Sequence, residues 1–512
     1  MMAAPAPHAP SSCMLAAVRS AAVQGIEAYP VTVEVDAANG LPQWTIVGLP
    51  AGAVKESRER VGAALVNAGF RLPARRITIN LAPADVRKDG TAFDLPIALG
   101  VLVATGQLPE QAVHGRIYLG ELGLDGTVRP VRGALPVARL AGTRRLPLVL
   151  PVPNVAEAAL VGGLALHAPA TLPELVTQLR NGGPPRATAP SVAAAADRAP
   201  LDFADVVGQG SAKRALEIAA AGAHNVLLIG PPGAGKTMLA RRLPGILPML
   251  TEEEALEATA IHSVAGALAP GEAVIGTGPF RAPHHSISDA GLIGGGNPPR
   301  PGEVSLAHRG VLFLDEMLEF RRGVLEALRQ PMEDGRVVIA RAAVAVAYPA
   351  RFTLVGATNP CPCGSAGDPT RTCICGDADI ARYRARLSGP LADRIDMRVA
   401  VGAVPVRSLG VRGDGERSAV VRARVEAARD RQRARYAGLW GVGCNAHASG
   451  RWLDARSHIE PTARELLAAA AERMALSARG YHRVLKVART IADLDGAEGV
   501  VQAHVAEALR FR

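Results

Sequence analysis

Gly230-Pro231-Pro232-Gly233-Ala234-Gly235-Lys236-Thr237 is the stretch on which the reading of this chain turns. It fits G-x-x-x-x-G-K-[ST], the Walker A pattern. Before it, Asn225 to Ile229 (NVLLI) reads as a short buried strand; after it, Met238 to Leu243 reads as a helix. A glycine-rich turn between strand and helix gathers backbone N–H groups at one point. The helix start adds partial positive charge there, so phosphate is favoured. Lys236 is placed to reach the β- and γ-phosphates of ATP, and the Thr237 hydroxyl to ligand Mg²⁺. A chance glycine turn would not also bring the strand, the helix and the partners downstream.

Those partners follow in order. Val311 to Leu314 (VLFL) is an apolar run ending in Asp315-Glu316. A buried parallel strand that delivers two carboxylates at its C-terminal end is a Walker B element. Asp315 would hold Mg²⁺ through water, and Glu316 would polarise the attacking water. Phe352 to Ala357 (FTLVGA) is another apolar strand, ending in Thr358-Asn359. A polar amide beside the γ-phosphate can orient water, as sensor 1 does in AAA+ proteins, and Asn359 is the candidate.

A length of 512 residues suggests two to four domains, and 48% hydrophobic content supports real cores although aromatics are only 3%. The net charge of +10 favours an acidic partner such as nucleic acid. The basic residues are almost all arginine, however; the lysines are Lys55, Lys88, Lys213, Lys236 and Lys486. With so much Ala, Gly and Pro this also fits the coding bias of a GC-rich genome, so charge is weak support for DNA binding. No apolar run reaches transmembrane length, and the start lacks a basic segment followed by an apolar core. A cytoplasmic protein without a membrane partner is expected.

Residues 1–12 are Ala/Pro-rich and expected to be a disordered tail. Residues 13–179 alternate short apolar strands with helices: Val31 to Val35 and Arg76 to Leu81 read as strands, Asp94 to Thr105 as a buried helix. Residues 180–200 are Pro/Ala-rich and read as a linker. The ATPase core is expected over 201–405. After a Gly/Arg-rich connector, residues 418–512 are helical by period.

Four of the six cysteines cluster directly after Asn359: Cys361, Cys363, Cys373 and Cys375 form C-x-C-x9-C-x-C. In a cytosolic enzyme such a cluster favours Zn²⁺ over disulfides. C-x-C is less diagnostic than C-x-x-C, so structural zinc and reduced free thiols both stay open. Catalytic zinc does not fit, because four protein ligands would close the site.

Between the Walker elements stand Phe280-Arg281-Ala282-Pro283-His284-His285, Gly291-Leu292-Ile293-Gly294-Gly295-Gly296 and Pro301-Gly302-Glu303-Val304-Ser305-Leu306-Ala307-His308. These resemble the magnesium-chelatase branch of AAA+ ATPases. With its flanking segments, the chain resembles the YifB/ComM family of Mg-chelatase-like ATPases from Cys13 to Arg512, the linker excepted. The resemblance implies an α/β fold: an AAA+ P-loop NTPase core, a C-terminal helical lid, and an N-terminal Lon-protease-like (ribosomal protein S5 domain 2-like, ChlI-type) α/β domain.

It implies further parts. Members of this branch insert a helix-2 loop and a pre-sensor-1 hairpin that face the channel of a hexameric ring; Gly276 to Arg309 would supply the first and Arg336 to Arg351 the second. A basic side chain there, such as Arg341, can follow a phosphate backbone; a solvated hairpin charge is an equal reading. His284 and His285 have no carboxylate or Cys at ligand spacing, so loop packing is preferred to metal binding. Gly389-Pro390-Leu391-Ala392-Asp393-Arg394-Ile395-Asp396 resembles the arginine-finger segment, with Arg394 reaching a neighbour's γ-phosphate. Ser477-Ala478-Arg479-Gly480-Tyr481-His482-Arg483 resembles the sensor 2 segment, with Arg479 first and Arg483 second.

In the N-terminal domain, Lys88-Asp89-Gly90-Thr91-Ala92-Phe93-Asp94 resembles the Lon motif around its serine, and Gly133-Ala134-Leu135 ends the stretch that carries Lon's lysine. Ala92 and Leu135 stand at those two places, and neither can attack a carbonyl or take its proton. An inactive domain, not a protease, is expected. The function implied is an ATP- and Mg²⁺-dependent homo-hexameric DNA motor acting on branched or single-stranded DNA, alongside recombination proteins. It would promote branch migration during natural transformation. The alternatives are a Mg-chelatase-type motor subunit for metal insertion and a general AAA+ remodelling ATPase.

Overall fold

A computed structural model describes residues 15–188, 201–269, 273–341, 344–367, 371–404, 415–439 and 441–512. The expected tail 1–12, most of the linker and most of the connector lie outside the described residues. The chain divides into two units, Met1–Ala196 with Thr259–Val274, and Asp197–Ala258 with Ile275–Arg512.

In the first unit, β1 (Ala16–Gln24), β2 (Glu27–Ala38), β3 (Gln43–Val47) and β4 (Arg76–Ala82) form a sheet in the order β1-β2-β4-β3. The β1–β2 and β2–β4 pairs are antiparallel, and β3–β4 is parallel. Alternate residues of β2 and β4, such as Val33, Val35, Ile77 and Ile79, are fully buried, the period expected of strands with one face on a core. That core is filled by α1 (Asp94–Ala104), of which every residue is buried. The two strands and the helix agree with the sequence reading.

The unit runs past the expected boundary at 179. Ala187 N donates to Leu166 O at 2.7 Å, and His167 Nδ1 and Pro185 O are 2.8 Å apart, so the start of the expected linker covers the edge of a short strand, Leu166–His167. Thr259–Val274 also groups with this unit although it lies inside the expected ATPase core; Gly133 N donates to Ser263 O at 3.1 Å.

The second unit is built on a five-stranded, wholly parallel sheet. Its strands are β5 (Val226–Ile229), β6 (Phe280–Arg281), β7 (Val311–Leu314), β8 (Thr353–Thr358) and β9 (Met397–Ala400), in the spatial order β6-β7-β8-β5-β9. All residues of β7 and β8 are buried, which explains why both read as continuous apolar runs rather than alternating ones. Gly230, just past β5, has no room for a side chain: a Cβ there would stand 2.1 Å from Val401 O.

Arg336–Arg341 and Val344–Pro349 pair antiparallel, giving the expected hairpin. The core continues into the C-terminal helices α2 (Ser418–Arg435), α3 (Pro461–Arg473), α4 (Ala478–Leu494) and α5 (Gln502–Leu509). Inside them Asp493, fully buried, accepts from Arg489 Nη2 at 2.9 Å and Asn445 Nδ2 at 2.8 Å, and also pairs with Arg435. Among the described residues, no helix is long and apolar enough to cross a membrane.

Candidate nucleotide site

The strand order decides which side chains meet. β8 lies between β5 and β7, paired in parallel with both. The segments that leave the C-terminal ends of these three strands are therefore neighbours: Gly230–Thr237 after β5, Asp315-Glu316 after β7 and Asn359 after β8. Ligands in open parallel sheets bind beyond the carboxyl ends of strands.

Gly233 and Gly235 have φ of +79° and +88°, and the loop between them turns into the helix Lys236–Ala240. Lys236 Nζ donates to Gly230 O at 2.7 Å, Pro231 O at 2.9 Å and Asn359 Oδ1 at 3.1 Å. Burial pushes its pKa down, against the pull of Asp315 and then Glu316. A buried ammonium ion of this kind is stabilised by an anion, and phosphate oxygens compete well for the same three N–H donors. Thr237 Oγ1 donates to Asp315 Oδ2 at 2.7 Å. A hydroxyl and a carboxylate in contact are a hard oxygen set that suits Mg²⁺. The residues present thus fit a magnesium nucleotide.

Glu316 sits one residue beyond, with left-handed backbone at φ +50° and its N–H on Asp315 Oδ1 at 3.0 Å. A residue not expected here faces it: His285 Nδ1 is 3.7 Å from Glu316 Oε2. The His285 ring also stands over the His284 ring at 4.1 Å and edge-on to Phe320 at 6.4 Å. The preference for loop packing therefore captures part of the role of this pair and misses its carboxylate. FRAPHH begins with β6 itself, and β6 is parallel to β7, so what leaves β6 arrives beside Asp315-Glu316; that pairing, which the sequence does not show, places His285.

Arg394 and Arg479 are not brought to this pocket. Asn225, which precedes β5, donates through Nδ2 to Arg394 O at 3.0 Å and through its N–H to Asp396 Oδ2 at 3.0 Å. Arg394 therefore sits at the N-terminal edge of the sheet, and β5 alone puts roughly 13 Å between that edge and the phosphate loop. Its guanidinium donates to Pro390 O at 2.7 Å and pairs with Glu333. Arg479 is exposed at the start of α4, whose Gly480 carbonyl accepts from Arg512 at 2.9 Å. Arg483 Nε is 3.8 Å from Asp396 Oδ1, and burial, then partly offset by Asp396 and Asp393, lowers its pKa, with Arg394 and Arg479 close enough to add to the fall. The three arginines thus share one edge. α4 runs unbroken through Gly480, so the glycine does not interrupt it.

The cysteines converge in space: the Sγ atoms of Cys361, Cys363, Cys373 and Cys375 all lie within 4.8 Å of one another. In the first unit, Leu135 is fully buried and Ala92 half-buried, with Ala92 O accepting from Gly120 N at 3.0 Å.

Family models agree along the chain. Residues 202–409 match magnesium chelatase, subunit ChlI; residues 33–154 match subunit ChlI of Mg-chelatase; residues 415–512 match the magnesium chelatase subunit ChlI C-terminal model. Competence protein ComM of Haemophilus influenzae is 45% identical over 508 residues, covering 97% of each chain. The uncharacterized protein YifB of Salmonella typhimurium is 42% identical over 500 residues, again 97% of each. The magnesium-chelatase 38 kDa subunit of Rhodobacter capsulatus is 30% identical over 190 residues, which is 33% of this chain and 53% of that one. With these full-length likenesses and a phosphate-loop site on a parallel sheet, the chain belongs to the YifB/ComM family of magnesium-chelatase-like AAA+ ATPases.

Proposed function

We propose that this protein hydrolyses ATP in a ring of identical subunits and uses the energy to move DNA, promoting branch migration of recombination intermediates. The observation that carries the ring is the placement of Arg394 on the sheet edge opposite Lys236. An arginine so placed cannot reach the phosphates bound by its own chain, but it can reach those of a neighbour in a head-to-tail ring.

In this reading Lys236 binds the β- and γ-phosphates, and the loop carbonyls it now contacts are left for stronger acceptors. Mg²⁺, when bound by Thr237 and Asp315, would neutralise charge on the phosphate oxygens. Glu316 takes a proton from the attacking water, Asn359 orients that water, and Arg394 of the adjacent copy stabilises charge on the departing phosphoryl group. Arg479, on the same edge as Arg394, serves the same neighbouring pocket. The hairpin 336–351, with Arg341 near its tip, and the loop 276–309 would line the channel and follow the phosphate backbone.

The name of the Haemophilus relative, a competence protein, supports a role in natural transformation. Metal insertion into a porphyrin is less well supported, because the Haemophilus competence protein matches along 97% of each chain whereas the Rhodobacter chelatase subunit matches 33% of this one. The N-terminal unit is read as an inactive Lon-like platform, since Ala92 and Leu135 offer neither nucleophile nor base. ATPase rates with single-stranded, duplex and four-way-junction DNA test the proposal: stimulation by DNA, greatest with the junction, is expected. Equal rates with and without every DNA would refute DNA as the partner. Glu316→Gln should keep ATP binding and trap it unhydrolysed.

A further inference from the structure

Cys361, Cys363 and Cys373 have Sγ–Sγ separations of 3.4, 3.7 and 3.6 Å. A disulfide would bring two sulfurs to about 2.05 Å, so none of these pairs is bonded. Four thiolates at about 2.3 Å from a tetrahedral zinc ion stand about 3.8 Å apart along each edge. These three sulfurs are within a few tenths of an ångström of that edge length, and Cys375 Sγ lies within 4.8 Å of each of them. Backbone N–H groups also point at the sulfurs: Cys363 N to Cys375 Sγ at 3.4 Å and Ala366 N to Cys361 Sγ at 3.3 Å. Such donors stabilise thiolates and fix their direction, as outer partners of metal ligands do. Cys361 is fully buried and the other three are half-buried. Four sulfurs leave no open coordination position, so the site is structural.

Its position gives it a second consequence. The cluster begins two residues after Asn359, whose Oδ1 accepts from Lys236 at 3.1 Å. Gly364 N donates to Cys361 O at 3.0 Å, which folds the first cysteine pair into a tight turn with Gly364 at φ +82°. A Cβ on Gly364 would stand 2.6 Å from Cδ and 2.8 Å from Cγ of Pro232. The turn therefore rests directly on the phosphate loop.

We propose that Cys361, Cys363, Cys373 and Cys375 hold one zinc ion, and that the resulting knot braces the nucleotide pocket by seating Gly364 against Pro232 and fixing Asn359 beside Lys236. Nucleotide affinity then depends on an ion that never touches nucleotide. The brace rests on the reading of Gly230–Thr237 as the ATP site; the zinc site does not. Without the ion, the chain from Cys361 to Cys375 loses its closure, and the ordering of Asn359 and Gly364 falls on weaker contacts.

The test uses the full chain purified without chelator, with three readouts: zinc by elemental analysis, the absorption of the Co²⁺-exchanged protein, and affinity for a fluorescent ATP analogue. One zinc per chain and a tetrahedral cobalt–thiolate spectrum are expected. Cys363→Ser and Cys373→Ser should lose zinc and weaken the analogue about tenfold or more. Gly364→Ala, which keeps all four ligands, should retain zinc and still weaken the analogue. Because a cysteine variant can fail to fold, the unmodified chain stripped by chelator and refilled supplies a reversible arm: affinity should fall on removal and return with Zn²⁺. No bound metal, with four freely titrating thiols, overturns the site. Zinc that can be removed and restored with no change in affinity overturns the brace. A zinc-loaded chain that binds no analogue in any state overturns the ATP-site reading and the brace with it, while the metal site stands.

Discussion

The two edges of the parallel sheet in the second unit carry different sets of charged groups. The C-terminal edge collects Lys236, Thr237, Asp315, Glu316 and Asn359, linked by contacts of 2.7 to 3.1 Å. The N-terminal edge collects Arg394, Arg479 and Arg483 around Asp396. The first edge holds the phosphate loop and two carboxylates; the second holds arginines, Arg394 beside Glu333 and Arg483 beside Asp396, and no phosphate loop. On the proposed function, a single chain carries a pocket and the arginines that complete a neighbour's, held apart by the strands themselves. The lesson is that the sheet's polarity, more than any single residue, argues for cooperation between copies.

Changes at each edge should separate the two halves. The largest effect is expected from Lys236→Ala, which removes the pocket's ammonium ion: both nucleotide affinity and turnover should be lost, as checked by analogue binding and phosphate release. Arg394→Ala acts on the other edge. It should leave affinity nearly unchanged and lower turnover by about 10³-fold or more; equal losses in both would erase the distinction between the edges. Asp493→Ala tests how the arginine edge is anchored, because Asp493 ties α4 to Arg435 and Asn445. Leaving the buried Arg489 and the half-buried Arg435 without their carboxylate should cost about 3–5 kcal/mol in unfolding free energy, read by denaturant titration. The smallest effect is expected from His285→Ala. His285 and Glu316 are 39% and 59% exposed and 3.7 Å apart, so their interaction is well screened. Turnover should change about twofold to threefold with unchanged affinity.

The pocket edge was legible in the sequence because its parts are local. A strand, a glycine turn and a helix are contiguous in 225–243, and the runs ending at Asp315 and Asn359 are apolar throughout because both faces of β7 and β8 are covered. Strand order was not legible. Nothing local in FTLVGA says that β8 separates β5 from β7, and that placement is what sets Asn359 against Lys236. The same non-locality hid His285 beside Glu316 and Gly364 under Pro232. It also hid the sheet edge on which Arg394 lies, which depends on Asn225 pairing with a segment 169 residues later. The role proposed for the arginine comes from the resemblance, and its separation from the pocket from the strand polarity. Residues 181–187 look like linker by composition, yet Pro185 and Ala187 hydrogen-bond to the strand Leu166–His167, which composition does not show.

Mixing two variants tests cooperation between copies most directly. Arg394→Ala chains keep an intact pocket and lack the completing arginine; Lys236→Ala chains lack the pocket's lysine and keep the arginine. Each alone should hydrolyse ATP poorly. Mixed in equal amounts at a concentration where oligomers form, they should recover a substantial fraction of the unmodified rate, since one chain supplies the arginine to the other's pocket. A mixture no more active than the sum of its parts, together with full activity from a dilute monomeric sample of the unmodified chain, would contradict it.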